Sequence, residues 1–168
     1  MVQKIAIHQA KLVYVFKIGD YMQKNKTKDL VMCSLFVALI AVGAFIKIPV
    51  PVVPFTLQLL FTMMAGLLLG GKLGALSVCA YIFMGLIGLP VFAEGGGFAY
   101  VLKPSFGYII GFAVASYVTG TIANRVSDPG YKRLLAANFI GLGIVYLFGM
   151  VYYYLMSNFY LGSPIGLW

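Results

Sequence analysis

The chain has 168 residues, one domain's length, with 12 basic and 4 acidic side chains and a net charge of +8. Apolar residues make up 62% and charged residues only 10%, against about 25% charged in an average soluble domain; so few charges cannot cover a water-facing surface, and lipid must be the outer solvent. The basic residues sit in short polar breaks between apolar runs, without the basic-aromatic motif of a nucleic-acid patch, and read as topological anchors.

At the front, Ala6 to Ile18 is interrupted by Lys11 and Lys17, and no small-residue cleavage site follows, which argues against a signal peptide. Residues 1–28 read as a cytoplasmic N-terminal extension, able to form a short basic amphipathic helix at the inner surface. A helical span needs about 20 mostly apolar residues. The first runs from Leu30 to Ile46, with Asp29 as an N-cap beside the helix dipole and Lys47 and Pro49 ending it. Three prolines between Ile48 and Thr56 then forbid helix and call for an extended apolar segment lying against the mouth of the bundle. Leu57 to Gly70 and Leu73 to Leu89 follow, separated by Gly71-Lys72, a turn tight enough to make them antiparallel neighbours.

Pro90 to Pro104 is a second long break, holding Glu94, Gly95-Gly96-Gly97, Phe98, Tyr100 and Lys103. Ser105 to Asn124 is a fourth span, Arg125 to Arg133 a polar turn, and Leu134 to Met156 a fifth span before the tail that ends at Trp168. Placing the N-terminus in the cytoplasm puts Lys24, Lys26, Lys28, Lys72, Arg125, Lys132 and Arg133 inside and leaves Lys47 and Lys103 outside. That seven-to-two bias fixes the orientation, and both long breaks, 47–56 and 90–104, fall on the outer face. Short inner turns and long Gly/Pro-rich outer loops point to a binding site that opens outward.

Catalytic constellations are missing: there is no paired-carboxylate set, no Ser/His/Asp arrangement and no P-loop, and Gly95-Gly96-Gly97 does not have phosphate-binding spacing. Cys33, Cys79 and His8 have no metal-ligand spacing, so neither a cofactor nor a metal is expected. A proton relay has no support, because Asp20, Asp29, Glu94 and Asp128 all fall outside the spans. What remains is a binding constellation. Gln58 offers an amide at the head of the second helix, either to a ligand or to local backbone. Tyr81 lies mid-span, as a ligand contact or a core aromatic. Gly95, Gly96 and Gly97 can present backbone amides, with Phe92, Phe98 and Tyr100 as apolar walls, unless the segment is simply a flexible hairpin. Ser105 and Tyr108 add hydroxyls at the same depth, and Asn158 stands at the outer end of the fifth helix. Such groups suit a small, mostly neutral ligand. On the first helix Ser34, Ala38 and Ala41 share a small-residue face, suited to packing within the chain or to docking another membrane subunit.

Several motifs, in order, resemble the BioY family: Thr27-Lys-Asp-Leu-Val31, Ala38 through Pro51, Pro54-Phe-Thr-Leu-Gln58, Met64 through Gly70, Gly85-Leu-Ile-Gly-Leu-Pro-Val-Phe92, the Gly95–Gly97 loop and Lys103-Pro-Ser-Phe-Gly-Tyr108. The similarity runs from about Thr27 onward. It implies a biotin-binding S component of an energy-coupling-factor (ECF) transporter, partnered by a transmembrane T component and two ATPases, in the cell membrane. It further implies that the loops 48–56 and 89–104 cover biotin, that amides and hydroxyls face its ureido ring or carboxylate, and that the Ser34/Ala38/Ala41 face docks the T component. The family's sixth helix, with an Asp and a Lys that help hold biotin, would follow a segment like Ser157–Trp168. The resemblance therefore implies five spans present of an expected six, a fragment or truncated product with weak or absent biotin binding, and a natural start nearer Met22 than Met1. The expected fold is an all-α membrane protein, a polytopic helical bundle, with residues 29–168 as the transmembrane domain. The competing functional expectation is a membrane scaffold or assembly protein that binds other helices and no vitamin.

Overall fold

The computed structural model describes residues 26–48, 55–126 and 129–159. The N-terminal extension as far as residue 25, the central prolines 49–54, Asp128 and the tail 160–168 lie outside the described residues. Among the described residues five α-helices follow one another: α1 (Lys26–Phe45), α2 (Gln58–Leu69), α3 (Gly71–Leu86), α4 (Phe106–Ala123) and α5 (Tyr131–Phe159). The compact bundle comprises Cys33 onward, and α1 as far as Met32 belongs to a separate unit.

Helix starts depart from the sequence expectations in three places. Asp29 lies inside a stretch that is already helical at Lys26, so it is not an N-cap. The α2–α3 joint is the single residue Gly70, at φ 84°, a backbone conformation that side chains disfavour. Gly71 and Lys72 therefore belong to α3 rather than to a turn. α5 begins at Tyr131, which places Lys132 and Arg133 in its first turn. The Arg133 Nε donates to the Ile122 carbonyl at 2.7 Å and satisfies one of the open carbonyls at the end of α4.

Helices α1, α4 and α5 are long and apolar enough to cross a membrane. α5, at 29 residues, is about 43 Å long, more than a hydrocarbon core of roughly 30 Å requires. α2 and α3 are shorter, at 12 and 16 residues, or about 18 and 24 Å. Large apolar side chains point outward along the bundle, among them Leu60, Leu68, Leu76, Phe83, Phe139 and Leu147. A soluble protein would bury such a set; lipid accepts it.

α4 runs through the centre and packs on α2, α3 and α5. With no water to drive the helices together, close van der Waals approach must hold them. The crossing of α2, α3 and α4 is accordingly built from small residues. A methyl group at Gly74 would lie 2.7 Å from the Gly66 Cα, and one at Gly120 would strike the Gly66 carbonyl. Asn124 ties this end shut, its Nδ2 donating to the Gly120 carbonyl at 2.9 Å and the Leu67 carbonyl at 3.3 Å. Lys72, Arg125 and Arg133 thus gather at the end of the bundle where α2 meets α3 and α4 meets α5.

At the opposite end two short strands, β1 (Lys47–Ile48) and β2 (Phe55–Thr56), pair antiparallel, with Lys47 opposite Thr56. The two flanks of the proline segment are therefore extended, as the sequence reading required. β2 delivers the chain into Leu57 and α2. The long loop after α3 folds back here too, forming a short 3-10 helix (Phe98–Leu102) before α4 begins.

Candidate functional site

The loop after α3 is held by an aromatic stack. Phe92 is fully buried. Its ring meets Tyr81 edge-on at 5.4 Å and tilts against Tyr100 at 4.6 Å. It also presses on Gly85, where any side chain would collide with it. The Tyr81 hydroxyl donates to the Val91 carbonyl at 3.0 Å, so Tyr81 is a core aromatic with a satisfied hydroxyl. Neither Tyr81 nor Phe92 lines the cavity described below. They form the support behind Tyr100, which does.

The triple glycine serves the same folding. Phe92 and Gly95 exchange backbone hydrogen bonds at 2.9 and 3.2 Å, and the Gly97 N–H donates to the Gly85 carbonyl at 2.7 Å. Gly97, at φ 103°, turns the chain into the 3-10 helix, while a side chain on Gly96 would strike the Leu89 carbonyl. The expectation that these glycines present amides to a ligand therefore meets an internal use: the N–H groups of Gly95 and Gly97 bond within the protein, and no glycine of the three lines the cavity.

Below the folded loop lies a cavity of about 110 Å³. Four sequence-predicted residues reach it: Gln58 from the head of α2, Tyr100 from the loop, and Ser105 and Tyr108 from the head of α4. Ile109 and Phe112 of α4 and Val145 and Tyr146 of α5 supply apolar wall, and Thr56, Leu59, Ala93 and Glu94 complete it. Sequence reasoning missed most of these. Ile109 and Phe112 follow Ser105 at four and seven residues, one helical face, and that spacing was a usable signal. Val145 and Tyr146 carried none, because they enter only through the packing of α5 on α4.

Gln58 is 3% exposed, and its Nε2 has no hydrogen-bond partner among the described residues. The alternative that its amide serves local backbone is thus not realised for the nitrogen. A buried donor without a partner costs about 1–3 kcal/mol, and here it borders a cavity next to Tyr81, whose hydroxyl it approaches. Ser105 occupies the N-cap position of α4 without using its hydroxyl as a cap. The hydroxyl lies instead against the Tyr100 phenol. Burial is the main cause that raises the Tyr100 pKa above its ordinary value, with the Ser105 hydroxyl acting against it.

At the rim, Lys103 pairs with the Glu94 carboxylate at 2.8 Å, both side chains being close to half exposed. The ammonium also donates to the Glu94 carbonyl at 3.3 Å and stands 5.0 Å over the Tyr100 ring. Asn158 does not join the cavity; its Nδ2 donates to the Tyr154 carbonyl at 3.0 Å in its own helix. Ser34 and Ala38 are exposed on α1, whereas Ala41 packs against the core. The face predicted for docking is therefore divided.

A larger cleft, about 580 Å³, lies between α2 and α5. Leu60, Met64, Leu67, Leu135, Phe139 and Leu142 line it, and its one amide, Asn138, donates to the Leu134 carbonyl at 2.9 Å. Apart from Thr56, which also lines the smaller cavity, and Asn138, whose Nδ2 is already bonded, such a surface offers a polar ligand no side chain to orient it. The smaller cavity, with an unpaired amide, hydroxyls and apolar walls, has the form of a small-molecule site.

The BioY family model matches residues 17–168, beginning ahead of Thr27, where the motifs become legible, and ahead of Met22. The chain is 52% identical over 140 residues to the "Probable biotin transporter BioY" of Lysinibacillus sphaericus, covering 83% of this chain and 71% of that one. It is 41% identical over 134 residues to the biotin transporter BioY of Thermotoga maritima, covering 79% and 76% respectively. Among solved structures it is similar to the S-component for biotin from an ECF-type ABC transporter, with a TM-score of 0.73, 32% identity, and coverage of 83% of this chain and 78% of that one.

Proposed function

Because this chain belongs to the BioY family, we propose that it is the substrate-capture (S) component of an ECF-type importer and that its cavity receives biotin. The observation that carries this reading is the buried Gln58 amide, whose nitrogen has no partner within hydrogen-bond geometry among the described residues, at the edge of a cavity with apolar walls. A ureido group has both an acceptor and donors to offer that amide, and a thioether ring and aliphatic chain match Ile109, Phe112 and Val145. A scaffold that only bound other helices would leave both the cavity and the cost of Gln58 without a use.

Transport places the site on the outer face, with the N-terminus cytoplasmic. Support comes from Lys72, Arg125 and Arg133, which share the end of the bundle away from the cavity, as inner-face anchors would. ATP hydrolysis falls to two partner ATPases, coupled through a transmembrane T component that docks on the exposed small residues Ser34 and Ala38. The test is equilibrium binding of tritiated biotin to the chain in lipid nanodiscs. Saturable binding, displaced by unlabelled biotin and weakened by Gln58→Leu, is the expected result; it revises the weak or absent binding that the resemblance implied, because the cavity is formed within residues 56–146. Absence of any saturable component would overturn the capture reading.

A further inference from the structure

We propose that Lys103 and Glu94 form a charge selector at the rim of the cavity, with Lys103 as the cation that receives the ligand's carboxylate. The inference rests on the reading that the cavity binds biotin and adds the orientation of the ligand and the group that selects its charge. Biotin has a neutral bicyclic head and an aliphatic chain ending in a carboxylate that is ionised at neutral pH. An ionised group is costly to bury without a partner. Gln58, 3% exposed, offers an uncharged amide inside, whereas the charged groups stand at the rim, 41% and 45% exposed. The head therefore enters toward Gln58 and the carboxylate remains outermost, beside Glu94.

That position is hostile unless it is neutralised, because Glu94 lines the cavity and would repel a second carboxylate. Lys103 neutralises it. An ammonium has three donors; one goes to the Glu94 carboxylate at 2.8 Å and one to the Glu94 carbonyl at 3.3 Å. The third can turn to the ligand without breaking either contact; Lys103 does not itself line the cavity, but its Nζ touches two residues that do, Glu94 and, 5.0 Å from the ring centroid, Tyr100. With Lys103 in place the rim accepts a monoanion. Without it, the rim favours a neutral ligand.

The competing role for the pair is a surface latch that merely holds the loop closed. The two roles differ in how they treat ligand charge. The experiment measures displacement of tritiated biotin from the chain in nanodiscs by biotin and by its neutral primary amide, for wild type, Lys103→Gln, Glu94→Gln and the double variant. Lys103→Gln is expected to weaken biotin about tenfold and the amide less than about twofold. Glu94→Gln alone is expected to tighten biotin, since the repelling carboxylate is gone, and added to Lys103→Gln it is expected to recover most of the loss. Equal losses for acid and amide, or no loss for either, would overturn the selector. A wild-type chain that binds neither ligand would overturn the capture reading, and this assignment with it.

Discussion

Phe92→Ala isolates what holds the loop over the cavity. Phe92 is fully buried, stacks at 5.4 Å on Tyr81 and 4.6 Å on Tyr100, and fills the space that Gly85 leaves for it. It lies in the loop between α3 and α4, outside the spans, so aqueous burial energies apply. Truncating a buried Phe to Ala costs about 3–5 kcal/mol, a figure that already contains much of the ring-stacking contribution. The loss should fall on docking of the loop rather than on the helices, since α2, α4 and α5 pack together without this ring. The Gly97 N–H, bonded to the Gly85 carbonyl at 2.7 Å, reports on that docking directly. A loss of about 3 kcal/mol corresponds to roughly a hundredfold faster opening. Hydrogen exchange of the peptide covering residues 94–103 is therefore expected to accelerate by two orders of magnitude, or to reach the unprotected rate, with α4 unchanged. Phe98→Ala serves as the control, because Phe98 is 78% exposed. Unaltered exchange in Phe92→Ala, or acceleration equal to that of Phe98→Ala, would refute the reasoning.

Gln58→Leu replaces an unpaired buried amide with an apolar group of similar size. It should leave thermal stability in detergent equal or raise it, by up to about 1–3 kcal/mol, while weakening biotin binding; a joint loss of both would mean that Gln58 is structural. Gly74→Leu forces a side chain into a gap where even a methyl would lie 2.7 Å from the Gly66 Cα. It is expected to cost about 1–3 kcal/mol or more through overpacking, read as a lowered unfolding midpoint, whereas Gly143→Leu, where a methyl meets nothing within 4 Å, should be near neutral. Burial raises the Tyr100 pKa, so the folded state holds the phenol neutral after the unfolded chain has ionised. Its stabilisation is complete below the ordinary value of about 10 and is lost as pH rises through the raised folded value. Protection of the loop against hydrogen exchange should fall in that alkaline window, and Tyr100→Phe should reduce the dependence.

The solvent and the number of apolar runs were legible because composition fixes them: 10% charged residues cannot face water. Helix ends were less so. Lys72 and Lys132 look like turn residues in a hydropathy pattern, yet both sit in first turns, where a long side chain reaches water while its backbone stays helical. The polar part of the site was legible chiefly at the helix heads, where Gln58, Ser105 and Tyr108 are polar groups at the edge of apolar runs. Tyr81 and Phe92 were not separable from ligand contacts, because an aromatic that supports a wall and one that forms it have the same local sequence. The glycines misled for a related reason. Gly95 and Gly97 do adopt positive φ, but whether the amides so freed meet a ligand or the protein depends on where α3 ends. Val145 and Tyr146 had no signal, since a helix apolar all round does not announce which face meets a neighbour.

The most direct measurement of the central claim is where biotin sits. A photoreactive biotin derivative, with the reactive group on the carboxyl chain, is irradiated with the chain in nanodiscs, with and without excess unlabelled biotin, and labelled peptides are mapped by mass spectrometry. The cavity account expects labelling that biotin displaces, confined to residues 93–112 together with the start of α2 and the Val145–Tyr146 wall. Displaceable labelling along Leu60–Leu67 and Leu135–Leu142, the apolar cleft between α2 and α5, would contradict it.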